Sequence, residues 1–137
     1  MTQVASNESG APQGRRILIV DDNVDGADAM GILLRHSGHD VVLAKDGGHA
    51  FRLAETFRPE VALLDIGLPD MDGHDVARRL RQNFGEAIIL IAVTGYGGET
   101  IRKSCQAAGC NEVFTKPVDF TDLLRCIATA RRAPPLG

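Results

Sequence analysis

Five short apolar runs punctuate the chain, and each is followed by a stretch whose apolar residues repeat at helical rather than strand spacing. The runs cover residues 16–20 (RILIV), 40–44 (DVVLA), 61–64 (VALL), 88–93 (IILIAV) and 112–115 (EVFT). The segments between and after them predict helices over 24–37, 48–57, 73–83, 99–108 and 120–131. Local punctuation fits these limits: Asn23 or Asp22 can cap the first helix and Gly38 stops it, Pro59 closes the second, and Gly109 the fourth. Ala50, Leu53, Ala54 and Phe57 share one face of the second helix; Phe120, Leu123, Leu124 and Ile127 share one face of the fifth.

The first, third and fourth runs are apolar almost throughout, as expected of strands covered on both faces. Strand and helix alternating in this way predict a doubly wound α/β fold, and right-handed crossovers then put every strand's C-terminal end on one rim. Five strands suit a flavodoxin-like (βα)5 sandwich, a parallel sheet in the order 2-1-3-4-5 with its switch point between strands one and three. Four of the runs stop at polar residues that a buried strand does not need. Asp21 and Asp22 follow the first, Asp65 the third, Thr94 the fourth, and Lys116 with Pro117 the fifth. Ligand sites of open α/β sheets lie just outside the carboxyl ends of the strands, so these residues are the candidate chemistry.

Size and composition narrow the field. A chain of 137 residues suits one domain, expected over residues 15–132, with flexible polar tails at 1–14 and 133–137. With 15 basic and 18 acidic residues the net charge is -3, which gives no reason to expect nucleic-acid or membrane binding. The longest apolar run, 88–93, is too short to span a bilayer, and the N-terminus lacks the charged start and apolar stretch of a secretory signal. Three cysteines without CxxC spacing argue against a disulfide framework or zinc site. Cys105 and Cys126 fall on apolar helix faces as small hydrophobes, and a reducing, cytoplasmic compartment is expected. The four histidines are assigned surface or capping roles, and Arg78, Arg79 and Arg81 a solvated helix face.

A Rossmann or P-loop site needs glycines after the first strand, where this chain has Asp21 and Asp22; carboxylates there disfavour a nucleotide or flavin phosphate. Carboxylates held close together do not all remain ionised cheaply, and a hard divalent cation relieves the conflict. An acidic rim with a lysine and a hydroxyl therefore points to Mg²⁺-assisted phosphoryl chemistry, with a carboxylate as possible nucleophile. Taken one at a time, the same residues have plainer uses: Asp22 or Asp70 as a helix cap, Thr94 in a turn, Lys116 at a solvated strand end.

The segments ILIVDD, LLDIGLPDMDG, AVTGYGG and FTKPVD, at these spacings, resemble the receiver domain of two-component response regulators, especially receivers attached to hybrid sensor kinases. The likeness runs from about Arg16 to Arg131. It implies that Asp65 is the phosphoacceptor, that Asp22 and Asp65 ligate Mg²⁺ (or Mn²⁺) directly and Asp21 through water, and that the backbone carbonyl of Gly67 completes the protein ligands. It implies Thr94 as the switch hydroxyl, Lys116 as the phosphate's cation, and commonly a cis bond at Lys116-Pro117. The implied partner is a sensor histidine kinase or histidine phosphotransfer protein. Output would come from repacking of helix four, strand five and helix five, in a monomer or a phosphorylation-dependent dimer. The chemistry would be limited to self-phosphorylation from the partner and slow self-dephosphorylation.

The chain departs from the family at two positions. The family often has an aromatic residue three places before the lysine; Val113 stands there, and Phe114, on the opposite face of the strand, is assigned to the core. Tyr96 follows Thr94 by two residues, where it is either an exposed loop aromatic or a cover over Asp65 that slows acyl-phosphate hydrolysis. Two other functions compete. A Mg²⁺ phosphatase with an aspartyl nucleophile usually carries two aspartates two residues apart after the first strand, whereas here they are adjacent. An interaction scaffold would need none of the acidic set. Met1 and the polar residues after it favour a separate protein.

Overall fold

The structure, a computed structural model, describes residues 14–66, 72–95 and 97–130. Its strands are β1 (Arg16–Val20), β2 (Asp40–Ala44), β3 (Val61–Asp65), β4 (Ile89–Thr94) and β5 (Glu112–Thr115). Its helices are α1 (Val24–His36), α2 (Gly47–Phe57), α3 (Gly73–Phe84), α4 (Glu99–Ala107) and α5 (Phe120–Thr129), with a 3-10 turn at Gly85–Ala87. The strands form one parallel sheet in the order β2-β1-β3-β4-β5, as the strand–helix alternation predicts. The expected tails lie, apart from Gly14, outside the described residues, as do Gly67, Asp70 and Tyr96.

Alternation along the strands sorts the core onto two faces. Leu18, Val20, Ala62, Leu64, Leu90 and Ala92 pack under α2, α3 and α4 with Ala50, Ala54, Val76, Leu80 and Cys105. Ile17, Ile19, Leu63, Ile89 and Ile91 pack under α1 and α5 with Ala27, Leu34, Leu123 and Ile127. Val113 joins the first face and Phe114 the second, as their alternation requires. Covering on both faces explains why the central strands carry no exposed polar stripe.

Element limits shift at places with a local cause. β3 extends to Asp65 and β4 to Thr94, because the parallel ladder pairs Asp65 with Val93 and Thr94 with Thr115. The polar ends of these strands are thus part of the sheet. β4 begins at Ile89, one residue late, because the 3-10 turn uses Gly85–Ala87 to turn the chain back. α1 is capped by Asn23, whose side chain accepts from the Gly26 N–H, and α3 by Asp72, which accepts from the His74 N–H. Asp22 caps neither helix.

Arg81 corrects the expectation of a solvated arginine face. Its guanidinium donates to the carbonyls of Gly85, Ile88 and Gly109 and to Asn111 Oδ1, at 2.6–2.7 Å. It therefore fastens the end of α3 to the turns on either side of β4. Arg79 lies over the Phe51 ring at 4.3 Å, and Arg78 pairs with Asp75. Of the cysteines, Cys105 and Cys110 are buried and Cys126 is half-buried; burial pushes the Cys110 thiol up to about 12, so it stays a protonated hydrophobe.

Candidate functional site

The rim gathers what the strand ends carry. Oxygen atoms of Asp21, Asp22 and Asp65 lie within 4.8 Å of one another. Asp21 and Asp22 follow the last residue of β1, and Asp65 ends β3, the neighbouring strand. The alternation that sends Leu63 to the α1/α5 side sends Asp65 there too, so its carboxylate meets those of the β1–α1 turn. Asp65 is only 9% exposed, an unusual setting for a carboxylate.

Lys116 brings a cation to it. Lys116 Nζ stands 3.7 Å from Asp65 Oδ2, while the lysine side chain stays 42% exposed. The Lys116 backbone N–H donates to the Thr94 carbonyl at 2.8 Å, which fixes the lysine just beyond the end of β5. The following bond, Lys116-Pro117, is cis, as the resemblance implied. Thr94 is 4% exposed, one residue past the Val93 that pairs with Asp65.

Supporting contacts fix the acids in place. The Asn23 N–H donates to Asp21 Oδ1 at 2.9 Å, so the cap residue of α1 also orients an acid of the cluster. Burial pushes the Asp21 carboxyl above its ordinary range; the Asn23 N–H opposes this, and the Asp65 carboxylate adds to it. A Cβ on Gly73 would come within 2.6 Å of Ile66 Cα and 2.8 Å of the Asp65 carbonyl oxygen, so α3 starts in direct backbone contact with Asp65. Sequence reasoning assigned Asn23 only to capping and Gly73 only to a helix start; nothing in the local pattern marks either as part of the site. Beneath the cluster, a hollow of about 260 Å³ opens between α1, α5 and the sheet, lined by Met30, Leu63, Val118 and Leu123.

The family model of the response regulator receiver domain matches residues 17–128. The chain belongs to the response regulator receiver domain family. Receivers are the phosphorylation-activated switches of two-component signalling, and this chain is a receiver of that kind. It is 36% identical over 113 residues to the protein PilH of Pseudomonas aeruginosa, covering 82% of this chain and 93% of that protein. It is 34% identical over 117 residues to the CAI-1 autoinducer sensor kinase/phosphatase CqsS of Vibrio cholerae, covering 83% of this chain but 17% of that protein. The receiver also superposes on a CheY-like receiver domain protein from Methanospirillum hungatei with a TM-score of 0.78 and 32% identity, covering 84% of this chain and 91% of that one.

Receiver domains bind Mg²⁺ at an acidic cluster, and the donor set here suits that ion. All three side chains offer hard carboxylate oxygens, and their mutual repulsion is what a divalent cation relieves. Among the described residues these three form the group of acidic, histidine or cysteine side chains close enough to share an ion.

Proposed function

We propose that Asp65 is the phosphoacceptor, that Asp21, Asp22 and Asp65 with the Gly67 carbonyl hold Mg²⁺, and that Thr94 and Lys116 read out the phosphoryl group. One observation supports this most strongly: a buried carboxylate at the C-terminal end of the central strand β3 faces two further acids and one ammonium. The sheet and the start of α3 hold the Asp65 backbone in place, which limits how far its carboxylate can wander from the other two acids. In the transfer, an Asp65 oxygen forms a bond to phosphorus as the P–N bond of a partner's phosphohistidine breaks. The electron pair of that bond stays on the ring nitrogen, and because the other ring nitrogen of the phosphohistidine carries a proton, the leaving group is neutral imidazole. When bound, Mg²⁺ supplies charge neutralisation at the transferring oxygens.

Lys116 is already the counter-ion of the unmodified Asp65 and follows the negative charge onto the phosphoryl oxygens. Thr94 supplies a hydroxyl donor at the end of the adjacent strand. Its movement draws the Gly95–Gly98 loop and repacks the α4, β5 and α5 face, the output surface of this reading. With Val113 rather than an aromatic residue at the place three before Lys116, that repacking proceeds without an aromatic ring turning inward. This receiver acts in the cytoplasm, and its partner is a sensor histidine kinase or a histidine phosphotransfer protein; the likeness to a segment of CqsS supports a kinase. Among the described residues, no helix is long and apolar enough to cross a membrane.

The test is intact mass after treatment with acetyl phosphate and Mg²⁺. A phosphoryl-sized increase is expected in the native chain, and it should vanish with EDTA and in Asp65→Asn. Modification that persists in Asp65→Asn refutes the assignment. Steady turnover of small phosphomonoesters would favour a phosphatase instead.

A further inference from the structure

His74 was expected to be a surface or capping histidine, but it joins two helices. Its Nδ1 lies 2.7 Å from Asp72 Oδ1, and its Nε2 lies 2.9 Å from Ser104 Oγ on α4 and 3.8 Å from Cys105 Sγ. A carboxylate only accepts, so Nδ1 donates to Asp72; on the other side Nε2 pairs with Ser104 Oγ, whose hydroxyl also donates to the Ile101 carbonyl of its own helix at 2.9 Å. The Asp72 carboxylate also accepts the His74 backbone N–H; this contact first, and the ring second, hold its carboxyl below the usual range. The imidazole is thus held on one side by the cap of α3 and on the other by α4. The order Asp72, His74, Ser104 copies a nucleophilic triad, but Ser104 lies within a helix whose N–H groups are already bonded, which leaves no oxyanion hole.

The position gives this link its consequence. His74 follows Gly73, whose N–H donates to the Ile66 carbonyl at 3.3 Å and which leaves no room for a Cβ beside the Asp65 carbonyl, so His74 starts from backbone next to the proposed phosphoacceptor. α4 is the loosely held partner. Its N-cap, Gly98, makes no side-chain hydrogen bond, and Cys105 is its one fully buried residue. Among the described residues, His74 provides the side-chain hydrogen bonds that join α4 to another helix.

We propose that His74 is a positioning residue that clamps α4 against α3 in the unphosphorylated receiver, so that the His74–Ser104 bond sets how readily the switch is thrown. The proposal rests on the assignment of Asp65 as phosphoacceptor. A clamp made in one state and released in the other biases the equilibrium by its own strength. A net neutral hydrogen bond corresponds to about a two- to tenfold change in an equilibrium constant.

The experiment titrates beryllofluoride, an acyl-phosphate mimic, with Mg²⁺ into the native chain, Ser104→Ala, His74→Phe and the double variant, followed by amide NMR. Half-saturation should fall about two- to tenfold in each single variant and no further in the double. In unliganded Ser104→Ala the α4 amide shifts should move part of the way along the line joining free and beryllofluoride-bound native protein. Unchanged or weakened binding in both single variants, or effects that multiply in the double variant, overturns the clamp. Shifts away from that line also overturn it, since a purely local packing loss would produce them. Binding to the native chain that is absent in Asp65→Asn keeps the phosphoacceptor assignment intact in those cases. No binding by the native chain, or equal binding by Asp65→Asn, overturns both.

Discussion

Gly73→Ala tests how the fold carries Asp65. The added Cβ would stand 2.6 Å from Ile66 Cα, 2.8 Å from the Asp65 carbonyl oxygen and 3.1 Å from Ile66 Cδ1. Carbon atoms in ordinary contact sit about 3.5–4.0 Å apart, so the start of α3 must back away by roughly 1 Å. The first two atoms are backbone at the end of a central strand and do not rotate aside. Retreat lengthens the Gly73 N–H to Ile66 carbonyl bond, already 3.3 Å, and loosens Val76, Ala77 and Leu80, all fully buried. Overpacking of this kind costs about 1–3 kcal/mol, and the lower chain entropy of alanine returns about 0.4–1 kcal/mol. Mid-range values leave a net of about 1–1.5 kcal/mol, or a fall in Tm of roughly 4–6 °C for a domain of this size. Thermal unfolding followed by circular dichroism measures it, and acetyl-phosphate labelling should slow in parallel because Asp65 is displaced. Gly48→Ala is the control: its Cβ would meet only side-chain atoms, at 3.6 and 3.7 Å, so its Tm should hold or rise. A Gly73→Ala protein within about 1 °C of native would refute the claim that α3 is seated on the Asp65 backbone.

Asp21→Asn should raise the Tm of the metal-free protein and shrink the rise that Mg²⁺ produces. Burial already disfavours the charged form of Asp21, and its carboxylate lies within 4.8 Å of two others, a separation at which two unit charges repel by about 3.5 kcal/mol at an effective dielectric near 20. Differential scanning fluorimetry with EDTA and with Mg²⁺ shows both effects; equal Mg²⁺ stabilisation of the two proteins would count against the ion site. Arg81→Met should cost about 2–4 kcal/mol in urea unfolding, because one side chain satisfies three carbonyls and Asn111 Oδ1; a loss under about 0.5 kcal/mol would contradict that role. Burial, then Arg15, lowers the pKa of half-buried His39, whose Nδ1 accepts the Arg15 N–H. The unfolded chain therefore takes up this proton first, so His39 contributes stability above the unfolded pKa, near 6.5, that is lost as pH falls towards the lower folded value. Tm should drop between pH 7.5 and 5.5, and less steeply in His39→Asn; identical slopes would remove His39 from the explanation.

The sheet was legible because its central strands are covered on both faces and so write themselves as unbroken apolar runs. The rim was legible because Asp21, Asp22, Asp65, Thr94 and Lys116 interrupt those runs with groups the interior does not need. What escaped has a common physical origin in partners far apart in sequence. Arg81 reaches Asn111 and His74 reaches Ser104 across about thirty residues, and a lone arginine or histidine on a helix carries no local sign of such a partner. The α3 cap was missed for a different reason. Asp70 and Asp72 both precede the helix, and only the geometry of the turn selects Asp72. Gly73 looked like an ordinary helix start, since close backbone approach leaves no trace beyond the glycine itself.

The most direct measurement is peptide mapping of the receiver after reaction with phosphoramidate and Mg²⁺, a small P–N donor standing in for phosphohistidine. The account predicts one acyl phosphate, on Asp65, formed only with the divalent ion present. A phosphoryl group on Asp21 or Asp22, or labelling of Asp65 that is indifferent to Mg²⁺, would contradict it.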